Sequence, residues 1–395
     1  MNITFISKSH PLTLRGITWN HSRGFVPMAA TAQRFSELNP QVEILWEKRS
    51  LQAFADAPLD KLADQYDLIV LDHPWAGFLA STGHTIPLDD CLPAEFLQDQ
   101  SANSVGASHR SYHFGGKQWA LAIDAATPVA SWRPDLIAPN HLPRTWDNLL
   151  ELANAGGVLI PGIPIDTLMN FYMLCSSLGE DVCQTRERVI SRETGAKALS
   201  MLRALARRVV PDCFGYNPIA VYEQMTRTDR FVYCPFAYGY SNYSRPGYAR
   251  RLLSFGDLVE IGKSGPLRST LGGTGLAVTA RCAARDAAIQ YAAFVASPDT
   301  QSGIYVDTGG QPGHRRAWTD DHANTITRHY FRDTLPALDR AYLRPRYRGS
   351  MTFQDHAGEP IQTYLREGGS EQDVLRRLDE IYAASLRDAE EIGPA

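Results

Sequence analysis

Apolar and polar positions near the start of this chain alternate in a way that lays out a βαβαβ unit. Leu12 to Trp19 is an apolar run with β-formers that ends in the polar turn Asn20-His21-Ser22-Arg23-Gly24, which predicts a strand and then a loop. From Phe25 onward Met28, Ala32, Phe35 and Leu38 recur at helical spacing until Asn39-Pro40 stops the run. Val42 to Trp46 alternates as a second strand. Tyr66 to Leu71 is a short apolar run of the kind buried in a parallel sheet, and it ends abruptly at Asp72-His73-Pro74-Trp75. In open α/β sheets ligands bind beyond the carboxyl ends of the strands, so the loops at 20–24 and 72–75 are the first candidates for a site.

The pattern changes further on. Asp147 to Arg208 reads helical, with a start at Thr145-Trp146-Asp147-Asn148, and this is where a second lobe is expected to begin. Residues 212 to 251 read as an aromatic, loop-like stretch near the cleft, with Tyr216, Tyr222, Tyr233, Phe236, Tyr238, Tyr240, Tyr243 and Tyr248 among Gly and Pro. Leu267 to Thr279 holds Leu271-Gly272-Gly273-Thr274-Gly275-Leu276 and leads into a helical run from Ala284 to Ala296. The last 40 residues are helical again, with Val374, Leu375, Leu378, Ile381 and Leu386 as the apolar stripe.

At 395 residues the chain is too long for one core, and two compact units with a cleft between them are expected. A net charge of −4 gives no global basic field for nucleic acid or an anionic membrane, so anion binding would have to be local. No apolar run is long enough to span a bilayer, so no membrane insertion is expected. The opening MNITFISKSHPLTLRGITWN lacks the apolar stretch and cleavage site of a secretory leader, which places the chain as written in the cytoplasm, or in the periplasm if a leader is missing. Six scattered cysteines without CxxC or zinc-type spacing read as reduced, mostly buried thiols, and no metal or cofactor is expected. There is no GxSxG, no HExxH and no recognisable nucleophile–base pair, so no catalytic residue is assigned.

Four segments carry a resemblance to a known family. They are FVPMAATAQRFSELNPQVEILWE (25–47), YDLIVLDHPWAGFLASTGHTIPLDDCLP (66–93), YHFGGKQWALAIDAATPVASWRPDLIAPNHLPRTWDNLLELA (112–153) and GGTGLAVTARCAARDAAIQYAAFVASPDTQ (272–301). In this order they resemble the bacterial extracellular solute-binding protein family 1, the maltose-binding type of ABC importers. The resemblance implies a two-lobed α/β fold of the periplasmic-binding-protein type, with a hinge of crossing strands that closes on ligand. One lobe would comprise residues 1–124 and 277–325, the other 125–276 and 326–395. It further implies a non-catalytic, monomeric protein that takes a small polar ligand of carbohydrate class and has an ABC permease as partner.

Arg23 is expected beside the free N–H groups of the helix starting near Phe25. There Ser22, Arg23 and Gly24 could hold a carboxylate or phosphate, although Arg23 reads equally well as a surface arginine capping nothing. Asn20 and His21 would orient that loop. Asp72, His73 and Trp75 end the third strand, where the family's matching residues touch ligand; a packed lid is the competing reading of Trp75. Asp124, at the first crossover, is either a partner for ligand hydroxyls or a structural hinge residue. Tyr238 and Tyr240 offer stacking faces or serve as core. Gly272-Gly273-Thr274 would let backbone approach the ligand at the second crossover, since the glycines lack the lysine of a phosphate loop. Gln311, in the loop before His314-Arg315-Arg316, completes the ligand-binding candidates, and those three basic residues read as a solvated loop or a second anion contact. The cationic, His-bearing first loop supports an alternative: a cytoplasmic sensor or carrier for an anionic metabolite such as a sugar phosphate or a coenzyme A thioester. An unrecognised hydrolase or transferase using the same cleft is the rival of another class.

Overall fold

The computed structural model describes residues 12–50 and 59–391; the first eleven residues of the segment read for a leader lie outside them. β1 (Leu12–Trp19), β2 (Val42–Arg49) and β3 (Leu68–Asp72) run parallel, with α1 (Ser22–Leu38) crossing from β1 to β2. After a small hairpin of β4 (His113–Phe114) and β5 (Lys117–Gln118) comes β6 (Leu121–Ala126), buried along its whole length. The order of the first sheet is β2-β1-β3-β10-β6, where β10 (Gly272–Val278) is antiparallel to both neighbours.

Two-residue alternation explains why this sheet is covered on both faces. Leu68 and Val70 of β3 point into one cluster with Met28, Phe35 and Tyr291, whereas Ile69 and Leu71 point into another with Leu79, Tyr112 and Ala277. Strands buried on both sides are written as continuous apolar runs, the signal that marks Tyr66 to Leu71 in the sequence.

The second sheet, β8-β7-β9, is antiparallel and built from β7 (Pro128–Trp132), β8 (Tyr233–Tyr238) and β9 (Ser254–Gly256). Around it lie α2 (Trp146–Asn154), α3 (Pro164–Ser177), α4 (Arg192–Ala206) and α5 (Pro218–Arg227). Thr145 caps α2 as its sequence predicts, its side chain accepting from Asn148 N–H. α3 is buried nearly all round and sits deep in the core, packed against α7 (Ser350–Glu367), with α8 (Glu371–Glu391) outside it. α6 (Arg285–Ala296) returns to the first sheet.

Three adjacent segments join the sheets. β6 runs into β7 through Thr127, whose hydroxyl donates to Thr270 O at 2.9 Å just before β10 begins. The third segment, Gln311 to Gly313, lies beside β6: Ala125 N–H donates to Gln311 O at 2.8 Å and Gly313 N–H to Ile123 O at 3.2 Å.

Residues 212–251 depart from the loop-like reading. They hold helix α5 and strand β8, because Pro218, Val221, Tyr222 and Met225 form a helical stripe that Asn217 caps through its side chain. The helix after β1 also starts earlier than Phe25: His21 is its cap, accepting from Arg23 N–H at 3.0 Å, and Arg23 lies in the first turn. Among the described cysteines Cys91 is exposed, Cys183 half-buried and the other four buried, all as free thiols.

Candidate functional site

The carboxyl ends of β1 and β3, the start of β10 and the end of β8 meet where the two sheets join. Arg23 reaches this junction from α1 and is 4% exposed. Its Nε donates to Asp124 Oδ2 at 2.9 Å, its Nη2 to Asp124 Oδ1, and its Nη1 to Gly239 O at 2.9 Å. The guanidinium also lies over the Tyr240 ring, 4.7 Å from its centroid. Burial opposes the charge, but the facing Asp124 outweighs it and holds the Arg23 pKa above the ordinary guanidinium value.

This arrangement corrects the picture of Arg23 as a free cation at a helix start. Its side chain is turned away from the helix amides into a buried, bidentate ion pair with Asp124, so neither charge is left over for an anionic ligand. The neighbouring Ser22 instead meets Tyr248, with the two hydroxyls 2.9 Å apart. His21 Nε2 lies 3.3 Å from the same phenol, and burial, followed by the nearby Arg23, lowers the His21 pKa to about 4. Asn20 is exposed, and its backbone N–H is bound by Arg49 O at 2.7 Å.

Asp72 is likewise engaged. Arg344 Nη2 lies 2.7 and 2.6 Å from its two carboxylate oxygens, while Arg344 Nε donates to Leu271 O at 3.0 Å. Burial alone would raise the Asp72 pKa; Arg344 and the bond from His73 reverse this and hold the carboxyl below its usual range. His73 is 1% exposed, with Nδ1 3.1 Å from Asp72 Oδ1, and burial lowers its pKa to about 4. Placing the ring proton on Nδ1 leaves Nε2 an acceptor, and that atom has no partner. Trp75 is half-buried and packs edge-on against Phe78 at 5.3 Å.

At the β10 end, the glycines are required by the protein's own packing. A Cβ on Gly272 would collide with the Tyr238 ring, and one on Gly273, at φ +98°, with Asp124 O. Thr274 lies between Asp72 and Asp124 in the strand register, and its hydroxyl is buried without a partner. Tyr238 is half-buried, its hydroxyl 2.9 Å from Thr270 Oγ1. Gln311 is fully buried and ties segments together, accepting from Ser241 N–H at 2.7 Å and donating to Ala125 O at 3.1 Å. His314 is buried beside Asp99, and Arg315 and Arg316 pair with Asp339 and Asp299 in place of a free basic loop.

Asp166 joins this group although the sequence reading passed over it. It lies in the first turn of α3, 5% exposed, and its Oδ2 has no hydrogen-bond partner. Burial raises its pKa to about 8, and it is close enough to act electrostatically on both Tyr238 and Tyr240. A lone carboxylate in a helix otherwise free of charge and rich in apolar residues was the available signal. Asp166 Oδ2, His73 Nε2 and Thr274 Oγ1 are thus buried polar atoms with unmet hydrogen-bonding capacity, as are Ser241 Oγ and Asn242 Oδ1 just beyond Tyr240. Among the described residues no group of three or more His, Cys, Asp or Glu is placed to hold a metal ion.

Two α/β units whose sheets meet at these strand ends have the architecture of the solute-binding class. The sequence profile of the bacterial extracellular solute-binding proteins matches residues 30–321, and the chain belongs to that family. Solved structures agree on the fold. Maltose-bound MalE3 of T. maritima superposes with a TM-score of 0.81 at 17% identity, over 94% of this chain and 99% of its own. A ribitol complex of an ABC-transporter solute-binding protein from Agrobacterium radiobacter K84 gives 0.80 at 17% identity, over 95% and 99%. An α-D-tagatose complex from Thermotoga lettingae TMO gives 0.80 at 17%, over 96% and 100%. No curated protein matches the sequence.

Proposed function

We propose that this chain binds a neutral carbohydrate or polyol between its lobes and presents it to an ABC permease without altering it. The observation that carries the reading is the buried Asp166 carboxyl, whose Oδ2 has no partner and which acts electrostatically on Tyr238, together with the unpartnered His73 Nε2 and Thr274 hydroxyl at the strand ends. Acceptors and a hydroxyl in a dry site suit a ligand made of hydroxyl groups, each of which can donate and accept. The structural relatives bound to maltose, ribitol and tagatose support the same class. An anionic sugar phosphate or coenzyme A thioester is disfavoured, because Asp124 neutralises Arg23 and Asp72 neutralises Arg344 at this junction.

The lobes are proposed to divide at Thr127, Leu271 and Gln311, earlier than the expected boundary at 325 because Trp318 and Ala323 pack in the second sheet's core, and the chain to act as a monomer. Since the family is extracellular, the proposed place of work is outside the cytoplasmic membrane; among the described residues no helix is long and apolar enough to cross it. Recovery of the chain only from the cytosolic fraction of cells would move it to an intracellular role.

The test is calorimetric titration of purified protein with ribitol, D-tagatose and maltose, alongside native mass spectrometry of what it retains from cells. At least one neutral polyhydroxy ligand should bind and be recovered unchanged. Asp166→Ala should weaken that ligand by about twofold to tenfold, the loss expected for a hydrogen bond to a carboxyl that burial keeps largely neutral. Unchanged affinity in Asp166→Ala would remove the residue from the site, and conversion of the ligand would replace the binding reading with an enzymatic one.

A further inference from the structure

Away from the strand-end junction, a solvent-open cavity of about 730 Å³ lies on the seam between the two lobes. One wall belongs to the segment 101–110, which precedes the first crossing at Thr127; the other holds Arg268, Arg315 and residues 339–341. The walls touch at Gly106, which lies too close to Leu338 O to carry a Cβ and whose N–H donates to Asp339 Oδ1 at 3.1 Å. We propose that this cavity is a site for a small polyanion carrying two or more phosphate groups, which bridges the lobes through Arg110 on one wall and Arg268 on the other. The inference does not rest on the carbohydrate reading.

The charge of the lining is one-sided. Arg110, Arg268, Arg315 and Arg340 line the cavity together with a single carboxylate, Asp339, which pairs with Arg315. The partners of Arg268 and Arg340 are Asp181 and Asp257, and neither of these lines the cavity, so the side open to a ligand keeps a positive excess. Arg110 is exposed, and its side chain makes no ion pair among the described residues. Arg268 is held in place: its Nε donates to Arg340 O at 3.2 Å, and its Nη1 donates to Ser176 Oγ at 2.8 Å and to Asp181 Oδ1 at 2.7 Å. Its Nη2 makes no hydrogen bond among the described residues, and a cation fixed in this way loses little side-chain entropy when a ligand arrives. The volume is that of an ordinary small-molecule site. An isolated exposed ion pair contributes little, so a monoanion gains little here. A phosphate group brings about −1.5 to −2 charges and three acceptor oxygens, more than a carboxylate, and two such groups can meet Arg110 and Arg268 at once.

The experiment is calorimetric titration of the full chain, at low ionic strength and without divalent cations, with pyrophosphate, tripolyphosphate, orthophosphate and citrate. Pyrophosphate or tripolyphosphate should saturate one site per chain and bind about tenfold or more tighter than orthophosphate. Arg110→Ala should weaken the polyphosphate by about threefold to tenfold, whereas Arg376→Ala, which removes an exposed arginine from α8, should leave it unchanged. Hydrogen exchange with saturating pyrophosphate should slow on both walls, at 104–110 and at 339–341. Absence of saturable polyphosphate binding overturns the site. Equal losses in Arg110→Ala and Arg376→Ala mean attraction to general surface charge and overturn it as well. Tighter binding of citrate than of either polyphosphate overturns the choice of phosphate, and slowed exchange on one wall alone overturns the bridging. None of these outcomes bears on carbohydrate binding, which the sugar and polyol titrations test separately.

Discussion

Burial of Asp166 outweighs its place in the first turn of α3, and this gives it a distinctive pH signature. Its folded pKa of about 8 lies above the ordinary 3.8, so the folded protein holds this proton more tightly than the unfolded chain. The stability it contributes is therefore complete below pH 3.8 and is lost as pH rises through about 8. Asp166→Asn abolishes that dependence. In thermal or urea melts without ligand, the variant should gain on the wild type by roughly 1.4 kcal/mol per pH unit between those limits. Parallel stability curves would show that Asp166 is ionised and paired in solution. Ligand hydroxyls donating to the carboxylate would favour its charged form, so binding near pH 7 should release a proton. Calorimetry in two buffers of different ionisation enthalpy reads that release directly.

At this scale the sequence located the neighbourhood of the site better than it located the contacts. Asp72, His73, Asp124 and Thr274 do gather at one junction, because strand ends in an open sheet must face the same way. What each side chain does there was not legible. Whether Arg23 meets a ligand or Asp124 depends on a residue 101 positions away, and no local pattern encodes that pairing.

Among the elements, β10 and the segment around Arg344 carry the junction. Gly273 combines φ +98° with a Cβ position blocked by Asp124 O, so Gly273→Ala should shift the β10–β6 pairing and destabilise the fold by about 2–3 kcal/mol. Arg344→Ala should cost a comparable amount, about 1.5–3 kcal/mol, because it removes the charged hydrogen bonds to the half-buried Asp72 and leaves Leu271 O without its donor. Denaturant midpoints at neutral pH check both. A loss under 1 kcal/mol in Arg344→Ala would mean that water replaces the guanidinium.

Elements with one dominant pattern were readable. β1 spans the residues its apolar run marks, and α6 begins within one residue of its expected start. Helix α5 was missed because its apolar stripe is short and lies within a stretch rich in aromatic residues, glycine and proline that also suit strands and loops. Its true signal was short: Asn217 as cap and Pro218 at the first helical position.

For the molecule as a whole, the three crossing segments at Thr127, Leu271 and Gln311 are the only covalent paths between the sheets among the described residues up to that point, and they lie side by side. Lobes joined at one edge can swing about it. A saturating ligand found by mass spectrometry should lower the radius of gyration in solution scattering. It should also raise the melting temperature, since binding to the folded state alone contributes about 2.7 kcal/mol at a hundredfold excess over Kd. Unchanged scattering with a raised melting temperature would mean that the lobes are already closed before ligand arrives. The division into two lobes follows from chain length and from the family resemblance. The sheet order could not be deduced from local pattern, because β10 enters the first sheet from far along the chain.

That late entry has a consequence for the ribosome. β3 ends at Asp72 and its partner β10 begins at Gly272, so roughly two hundred residues separate the two halves of one ladder. At about 5–20 residues per second, β3 waits roughly ten to forty seconds for its neighbour to be synthesised. Through that interval a nascent sheet of three parallel strands exposes a hydrogen-bonding edge and two apolar faces, the features that recruit chaperones and invite misassembly. The first lobe is thus begun first and completed late, and a nascent chain stalled before Gly272 should remain protease-sensitive throughout residues 12–126 however long it is held.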